Sequence, residues 1–197
     1  MNLATARQES ESQEFDHQLA ELHKVVQEKS LSVGQEFLLA AGTKSRFYFN
    51  MKETTMDPGG SNLISDLILD AIADEPVDYI GGLEMGAVPI VACVSQRSAQ
   101  RGRPIPAFFV RKQAKEHGTR RLIDRELERD SKVVIVDDVT TSGGSVLKAV
   151  QAVRKEGCKV SKVITVVDRL EGADSMLAKH DLELVALLKA DAFDLTG

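Results

Sequence analysis

In the stretch KVVIVDDVTTSGGS, Lys132 to Ser145, two adjacent carboxylates close an aliphatic run and open a segment of threonine, serine and glycine. Val133, Val134, Ile135 and Val136 have the pattern of a strand buried on both faces of a parallel sheet. Asp137 and Asp138, side by side, repel each other and are costly to desolvate, so their place at such a strand end implies a ligand that wants negative charge and acceptors. After Val139 come the hydroxyls of Thr140, Thr141, Ser142 and Ser145 and the backbone amides of Gly143 and Gly144. They stand where a helix must begin, a position suited to a phosphate group. Acceptors for a sugar diol beside donors for a phosphate describe a receptor for a ribose 5-phosphate. The Gly-Lys-Ser/Thr of a P-loop is absent, as is the dinucleotide pattern G-x-G-x-x-G. The structural alternative is a strand-turn-helix in which Asp and Thr only cap the helix; the aliphatic run favours the ligand site.

A second chemical feature is the segment RKQAKEHGTRR, Arg111 to Arg121, with six basic groups against one glutamate. The chain as a whole carries a net charge of −5, which argues against general nucleic-acid binding. A concentrated positive loop on an acidic protein points to a compact anion as its partner. Cys93 and Cys158 show no pairing or metal-ligand spacing and read as small core residues. Histidines 17, 23, 117 and 180 do not cluster with other ligands, so no dedicated protein metal site is expected. No apolar run approaches the roughly 20 residues that span a bilayer. The N-terminal MNLATARQESESQEF lacks the apolar core of a secretory signal, and a cytoplasmic location without membrane contact is expected.

The elements that must position these groups follow from periodicity. Residues 1–12 are polar and read as a disordered start, before one domain over 13–197. Leu19, Leu22, Val25 and Val26 have the spacing of an amphipathic helix, and EFLLAAGTKSRFYFNMK reads as two strands bent at Ala41-Gly42-Thr43. Asp57 with Pro58 is a helix start, followed by Leu63, Ile64, Leu67, Ile68 and Ile72 at helical spacing. Beyond Pro76, strand and helix patterns alternate: VDYIGGL, GAVPIVACVSQRSAQ, PIPAFFVR, KVVIVDD, GGSVLKAVQAVRKEG, VSKVITVVDR, GADSMLAKH and LELVALLKA. Such alternation means an α/β fold, an open, mostly parallel sheet flanked by helices. Ligands of these sheets bind beyond the strands' C-terminal ends, where GGLEMGA, VDDVTTSGGS and VVDRLEG gather polar residues.

VVIVDDVTTSGGS resembles the phosphoribosyl-pyrophosphate motif of type I phosphoribosyltransferases. RKQAKEHG is similar to the mobile catalytic loop R-K-x-x-K-x-H-G of the orotate phosphoribosyltransferase family, DRLEGA to its D-R-x-E-G, and GTKSRFYFN to its N-terminal segment. The resemblance runs from Phe37 to the last strand. It implies a small N-terminal hood over 13–56 and a helix plus α/β core over 57–197. It implies that Asp137 and Asp138 hold the ribose hydroxyls, that the segment from Val139 and Thr140 to Ser145 receives the 5-phosphate, and that Thr141 lies by the base. Arg169 would pair with orotate, whose carboxylate matches a guanidinium fork, and Phe47 or Tyr48 would offer a ring to stack on the base. Leu83, Glu84, Met85 and Gly86 correspond to the pyrophosphate loop. Lys112, Lys115 and His117 would close over the site as catalytic residues. Arg111, Lys115 and His117 are implied to reach the neighbouring subunit's site, so a homodimer is expected. Mg²⁺ would be bound mainly through phosphoribosyl pyrophosphate itself.

Two positions depart from the family pattern. Much of the family has a lysine where this chain has Met85, and some members have one where Ala40 stands; Lys44 is near the latter. The segment LIDRELERDSK after the basic loop is short. The reaction implied is transfer of the 5-phosphoribosyl group to orotate, giving orotidine 5′-monophosphate and pyrophosphate in pyrimidine synthesis. The alternatives are transfer to another base, for which Arg169 would find little to pair with, and a regulator that senses phosphoribosyl pyrophosphate without catalysis.

Overall fold

The structure is a computed structural model that describes residues 3–38, 44–113 and 121–196. Helix α1, Leu3–Lys29, leads into an antiparallel hairpin of β1, Leu31–Leu38, and β2, Lys44–Phe49. A short turn of helix α2, Lys52–Thr55, and helix α3, Pro58–Ala71, complete the N-terminal part. Then follow β3, Tyr79–Gly81; α4, Ala87–Gln100; β4, Lys132–Thr140; α5, Gly144–Lys155; β5, Lys159–Asp168; α6, Ala173–Ala178; and β6, Glu183–Lys189. Among the described residues no helix is long and apolar enough to cross a membrane.

The start of the chain differs from expectation. Residues 3–12, read as disordered, belong to α1. Their Ala, Arg, Gln and Glu content lets a helix nucleated on the apolar stripe of Leu19, Leu22 and Val26 propagate backward, because adding a residue costs far less than starting a helix. The Ala41-Gly42-Thr43 bend lies outside the described residues. Asp57 caps α3 as its position implies: its Oδ1 accepts the Gly59 and Gly60 amides at 3.0 and 2.9 Å.

The main sheet is parallel, in the order β3-β4-β5-β6. PIPAFFVR, expected as a full strand, runs along the free edge of β3 as separate bridges, Ile80 with Ala107 and Leu83 with Val110. Pro104 and Pro106 have no amide hydrogen to donate, which keeps the pairing from extending ahead of Ala107. Backbone bonds still tie it on: Phe108 N–H to Ile80 carbonyl at 3.0 Å and Val110 N–H to Gly82 carbonyl at 2.8 Å. With that edge included, the chain steps outward from β3 on one side and resumes at β4 on the other. This reversal opens a crevice beyond the C-terminal ends of β3 and β4.

The strands are buried on both faces, as the aliphatic runs require. Val134 and Val136 of β4 and Ile164 and Val166 of β5 face a core completed by Leu22, Val26, Ile64, Leu67, Ile68 and Val94 from α1, α3 and α4. Val133, Ile135 and Val163 face the other core, filled by Val146, Val150 and Val153 of α5 and Leu177 of α6. Asp66 of α3 ties two helices together: its carboxylate accepts from Arg97 Nε at 2.7 Å and from Arg101 at 2.5 Å, both on or beside α4.

Candidate active site

Asp137 and Asp138 are the sixth and seventh of the nine residues of β4, which continues past them to Thr140 rather than ending at them. Alternation sends them to opposite faces of the strand, and both line a cavity of about 240 Å³ at the crevice. Its other walls are Leu83 to Gly86, Lys52 of α2, Lys112, Val139 and Ser145. Asp137 is 9% exposed; burial, and then the Asp138 charge, push its carboxyl well above the usual carboxylate range. Burial also raises the Asp138 carboxyl, opposed by the Val139 amide that donates to its Oδ1 at 2.9 Å and by the Lys52 charge. Burial thus disfavours the charged form of both carboxylates, and hydroxyl donors or a cation placed against them would favour it.

The loop facing them is built for close approach. A Cβ on Gly86 would lie 2.3 Å from Asp138 Oδ1, and one on Gly82 would lie 2.2 Å from the Val136 carbonyl oxygen. Only glycine lets this loop lie against β4. The Glu84–Met85 peptide is cis. Glu84 donates its amide to the Val110 carbonyl at 2.8 Å and accepts the Lys112 amide on Oε1 at 2.9 Å. Met85 points outward, 63% exposed. Arg111 donates to Asp124 at 3.0 Å and lies 3.8 Å from Glu84, so in this chain it braces the stem of the basic segment.

At the N-terminus of α5, Gly143 takes a left-handed conformation with φ 80°, and a Cβ there would meet Met176 at 2.5 Å. The first amides of a helix have no acceptor within it, so the turn of Thr141, Ser142, Gly143, Gly144 and Ser145 presents donors at the positive end of the α5 dipole. Asp168 pairs with Thr140 across the sheet, and the Arg169 amide donates to the Thr140 carbonyl at 2.9 Å. The DR strand end is thus fixed beside the phosphate-type turn.

In DRLEGA the alternative to a base-pairing role for Arg169 is a surface salt bridge with Glu171, two residues on. Its ion pair with Glu171 does form, Nε to Oε1 at 2.8 Å, but the Arg169 side chain is only 3% exposed, so this is no surface salt bridge. Ser45 accepts from its guanidinium at 3.1 Å, and the guanidinium lies over the Phe47 ring at 4.2 Å. Phe47 therefore joins Arg169, whereas Tyr48, next on β2, lies on the other face of the hairpin, stacked on Phe37 at 5.7 Å. Adjacent strand residues cannot share a face, so of the two rings expected at the base only Phe47 is brought to Arg169. Phe49 belongs to the core. Lys44 pairs with Glu36 across the hairpin at 2.9 Å.

Lys115 and His117 lie outside the described residues, as does Ala40. The fold brings together Lys112, Asp137, Asp138, Val139, Ser145 and the 83–86 loop in one cavity, and sets Phe47 and Arg169 together at the next strand end. Sequence reasoning missed Lys52 and Ser45 as neighbours of these groups. Ser45 lies within GTKSRFYFN, and its parity with Phe47 on β2 was the available signal; Lys52 had none. Among the described residues no group of three or more His, Cys, Asp or Glu is placed to hold a metal ion.

The phosphoribosyl transferase domain model matches residues 58–184. An orotate phosphoribosyltransferase of Bradyrhizobium sp. (strain ORS 278) is 49% identical over 179 residues, 88% of this chain and 96% of the relative. One from Methanocaldococcus jannaschii is 47% identical over 153 residues, 78% of this chain and 84% of the relative. The crystal structure of Mycobacterium tuberculosis H37Rv orotate phosphoribosyltransferase in complex with 5-phospho-alpha-D-ribosyl 1-diphosphate superposes with a TM-score of 0.73 at 30% identity. That match covers 90% of this chain and 92% of the other.

Proposed function

The chain belongs to the phosphoribosyl transferase domain family, and from that membership we infer that it transfers the 5-phosphoribosyl group of phosphoribosyl pyrophosphate to orotate. The products are orotidine 5′-monophosphate and pyrophosphate, in pyrimidine nucleotide synthesis. The observation that carries the base assignment is Arg169, a buried guanidinium fixed by Ser45 and Glu171 at the strand end next to the ribose-type carboxylates. Held in that way, its fork suits a planar base bearing a carboxylate and has little use for a neutral one.

In this reading the ribose hydroxyls donate to Asp137 and Asp138, and the α5 turn receives the 5-phosphate. The bond from the anomeric carbon to pyrophosphate breaks as a ring nitrogen of orotate bonds to that carbon and gives up its proton to the departing pyrophosphate or to solvent, through an oxocarbenium-like transition state. Catalysis rests on charge placed around the departing pyrophosphate, from Lys112 and from Lys115 and His117 of the basic loop. Closure of that loop excludes water from an electrophile that water would consume. The donor set fits Mg²⁺ carried by the substrate: Asp137 and Asp138 are adjacent carboxylates on the described cavity wall, too few for a protein cage. When bound, the ion neutralises pyrophosphate charge. A cytoplasmic homodimer, with Arg111, Lys115 and His117 reaching the partner's site, completes the proposal; its support is the family resemblance, and sedimentation across concentration tests it.

The test of the activity is loss of orotate absorbance on adding the protein, phosphoribosyl pyrophosphate and Mg²⁺, with uracil and hypoxanthine in parallel. Orotate loss that needs all three components is expected. Consumption of another base would keep the sugar-phosphate site and overturn the base assignment. Binding of phosphoribosyl pyrophosphate without turnover of any base would favour a sensor.

A further inference from the structure

A departing pyrophosphate gains charge as its bond to carbon breaks, so the wall it faces needs cations. The 82–86 loop offers none. Met85 is apolar, and Glu84 is acidic and already engaged by the Lys112 amide at 2.9 Å. Arg111, near Glu84, is turned to Asp124. The rest of the cavity wall offers two, Lys112 at the stem of the basic segment and, from the N-terminal part of the chain, Lys52. It stands on the α2 turn, which is anchored by buried Met51, Thr54 and Thr55. The Met51 carbonyl accepts the Thr54 and Thr55 amides at 3.0 and 2.7 Å, and Thr54 Oγ1 lies 2.6 Å from Ser30 Oγ. The main chain beneath Lys52 is therefore held, while Lys52 itself is exposed to the cavity and forms no ion pair among the described residues. Its charge is felt across the cavity, where it opposes the upward shift of the Asp138 carboxyl.

Resting on the phosphoribosyl-transfer reading, we propose that Lys52 binds the pyrophosphate group of the substrate, supplying from α2 the cation that Met85 cannot supply from the facing loop. Lys52 is then a substrate-binding residue contributed by the N-terminal part of the chain to a cavity otherwise lined by the α/β core. Lysine suits this role because a compact ammonium on a flexible stem can follow a leaving group that moves.

The test titrates inorganic pyrophosphate with Mg²⁺ into the full chain by calorimetry and measures KM for both substrates, for the wild type, Lys52→Ala, Lys52→Arg and Lys52→Met with Met85→Lys. Losing one charge-assisted contact should weaken pyrophosphate binding and raise KM for phosphoribosyl pyrophosphate about 10- to 100-fold, with KM for orotate nearly unchanged. Lys52→Arg should retain most affinity, and the Lys52→Met, Met85→Lys pair should recover it from the opposite wall. Because Lys52 is exposed, an unchanged thermal midpoint for Lys52→Ala is the folding control. Wild-type pyrophosphate affinity in Lys52→Ala, alongside normal orotate turnover by the wild type, overturns the role of Lys52. Weakened pyrophosphate binding in Lys52→Ala when the wild type ignores orotate supports Lys52 and overturns the base assignment instead.

Discussion

Burial and the neighbouring Asp138 charge hold the Asp137 carboxyl well above the ordinary carboxylate range. A folded-state pKa above the unfolded one means that the fold binds the proton more tightly. That contribution is full below the unfolded carboxylate value and is lost as pH rises through the folded one. Asp137→Asn keeps the shape without the charge. It should raise the thermal midpoint of the ligand-free protein at neutral pH, by roughly 2–4 °C for each kcal/mol relieved, and flatten the decline of the midpoint with rising pH. Turnover should fall by about 100-fold or more, measured by the orotate assay. A midpoint that drops instead would show that the charge is compensated in the empty site. Arg169 belongs to the same scale: Arg169→Gln should raise KM for orotate about 10- to 100-fold and leave binding of phosphoribosyl pyrophosphate intact. Arg169→Lys should rescue little, because an ammonium cannot meet Ser45, Glu171 and a planar base with one fork.

Among the elements, the 82–86 loop and the α3–α4 pair carry separable consequences. Gly86→Ala would drive a methyl into the Asp138 carboxylate at 2.3 Å. The expected result is a large drop in kcat with about 1–3 kcal/mol of lost stability, read by kinetics and chemical denaturation together. Asp66 shows the opposite balance to Asp137. Its burial would raise its pKa, but hydrogen bonds from Arg97 and Arg101 outweigh that and lower it. Its stabilisation is therefore present above the unfolded carboxylate value and is lost as pH falls through the folded one. Asp66→Ala should cost about 1–3 kcal/mol at neutral pH, less in acid, and should leave KM values unchanged since α3 and α4 meet behind the sheet. Denaturant titrations at pH 7 and pH 4 test both the size and the sign.

At the scale of the whole molecule, the site draws on the 82–86 loop, β4, the start of α5 and the N-terminal α2, which come together only in the folded state. A ligand spanning them stabilises the fold by mass action. Phosphoribosyl pyrophosphate with Mg²⁺ at 100 times its Kd should contribute about 2.7 kcal/mol, a rise in midpoint of roughly 5–11 °C. Thermal scanning with and without the ligand measures this, and Asp137→Asn should show a much smaller rise.

The parallel α/β core was legible because its signals are local. Val133 to Val136 show a doubly buried strand, Asp57-Pro58 marks a helix start, and VDDVTTSGGS combines acceptors and donors within one turn of chain. Composition and periodicity decided those features before any long-range contact formed. What the sequence left open depends on which surfaces meet. Helix α1 reaches back to Leu3 because a packed stripe further along nucleates it. Residues 107–110 pair along β3 only in separate bridges, and the prolines before Ala107 keep that edge from starting as a full strand. Phe47 rather than Tyr48 joins Arg169 because strand parity and hairpin placement choose the face. Lys52 enters the cavity because the α2 turn packs against Ser30 and the start of α3, contacts no local pattern encodes. Residue chemistry is written along the chain, whereas the company each residue keeps is decided by burial, which only the tertiary fold determines.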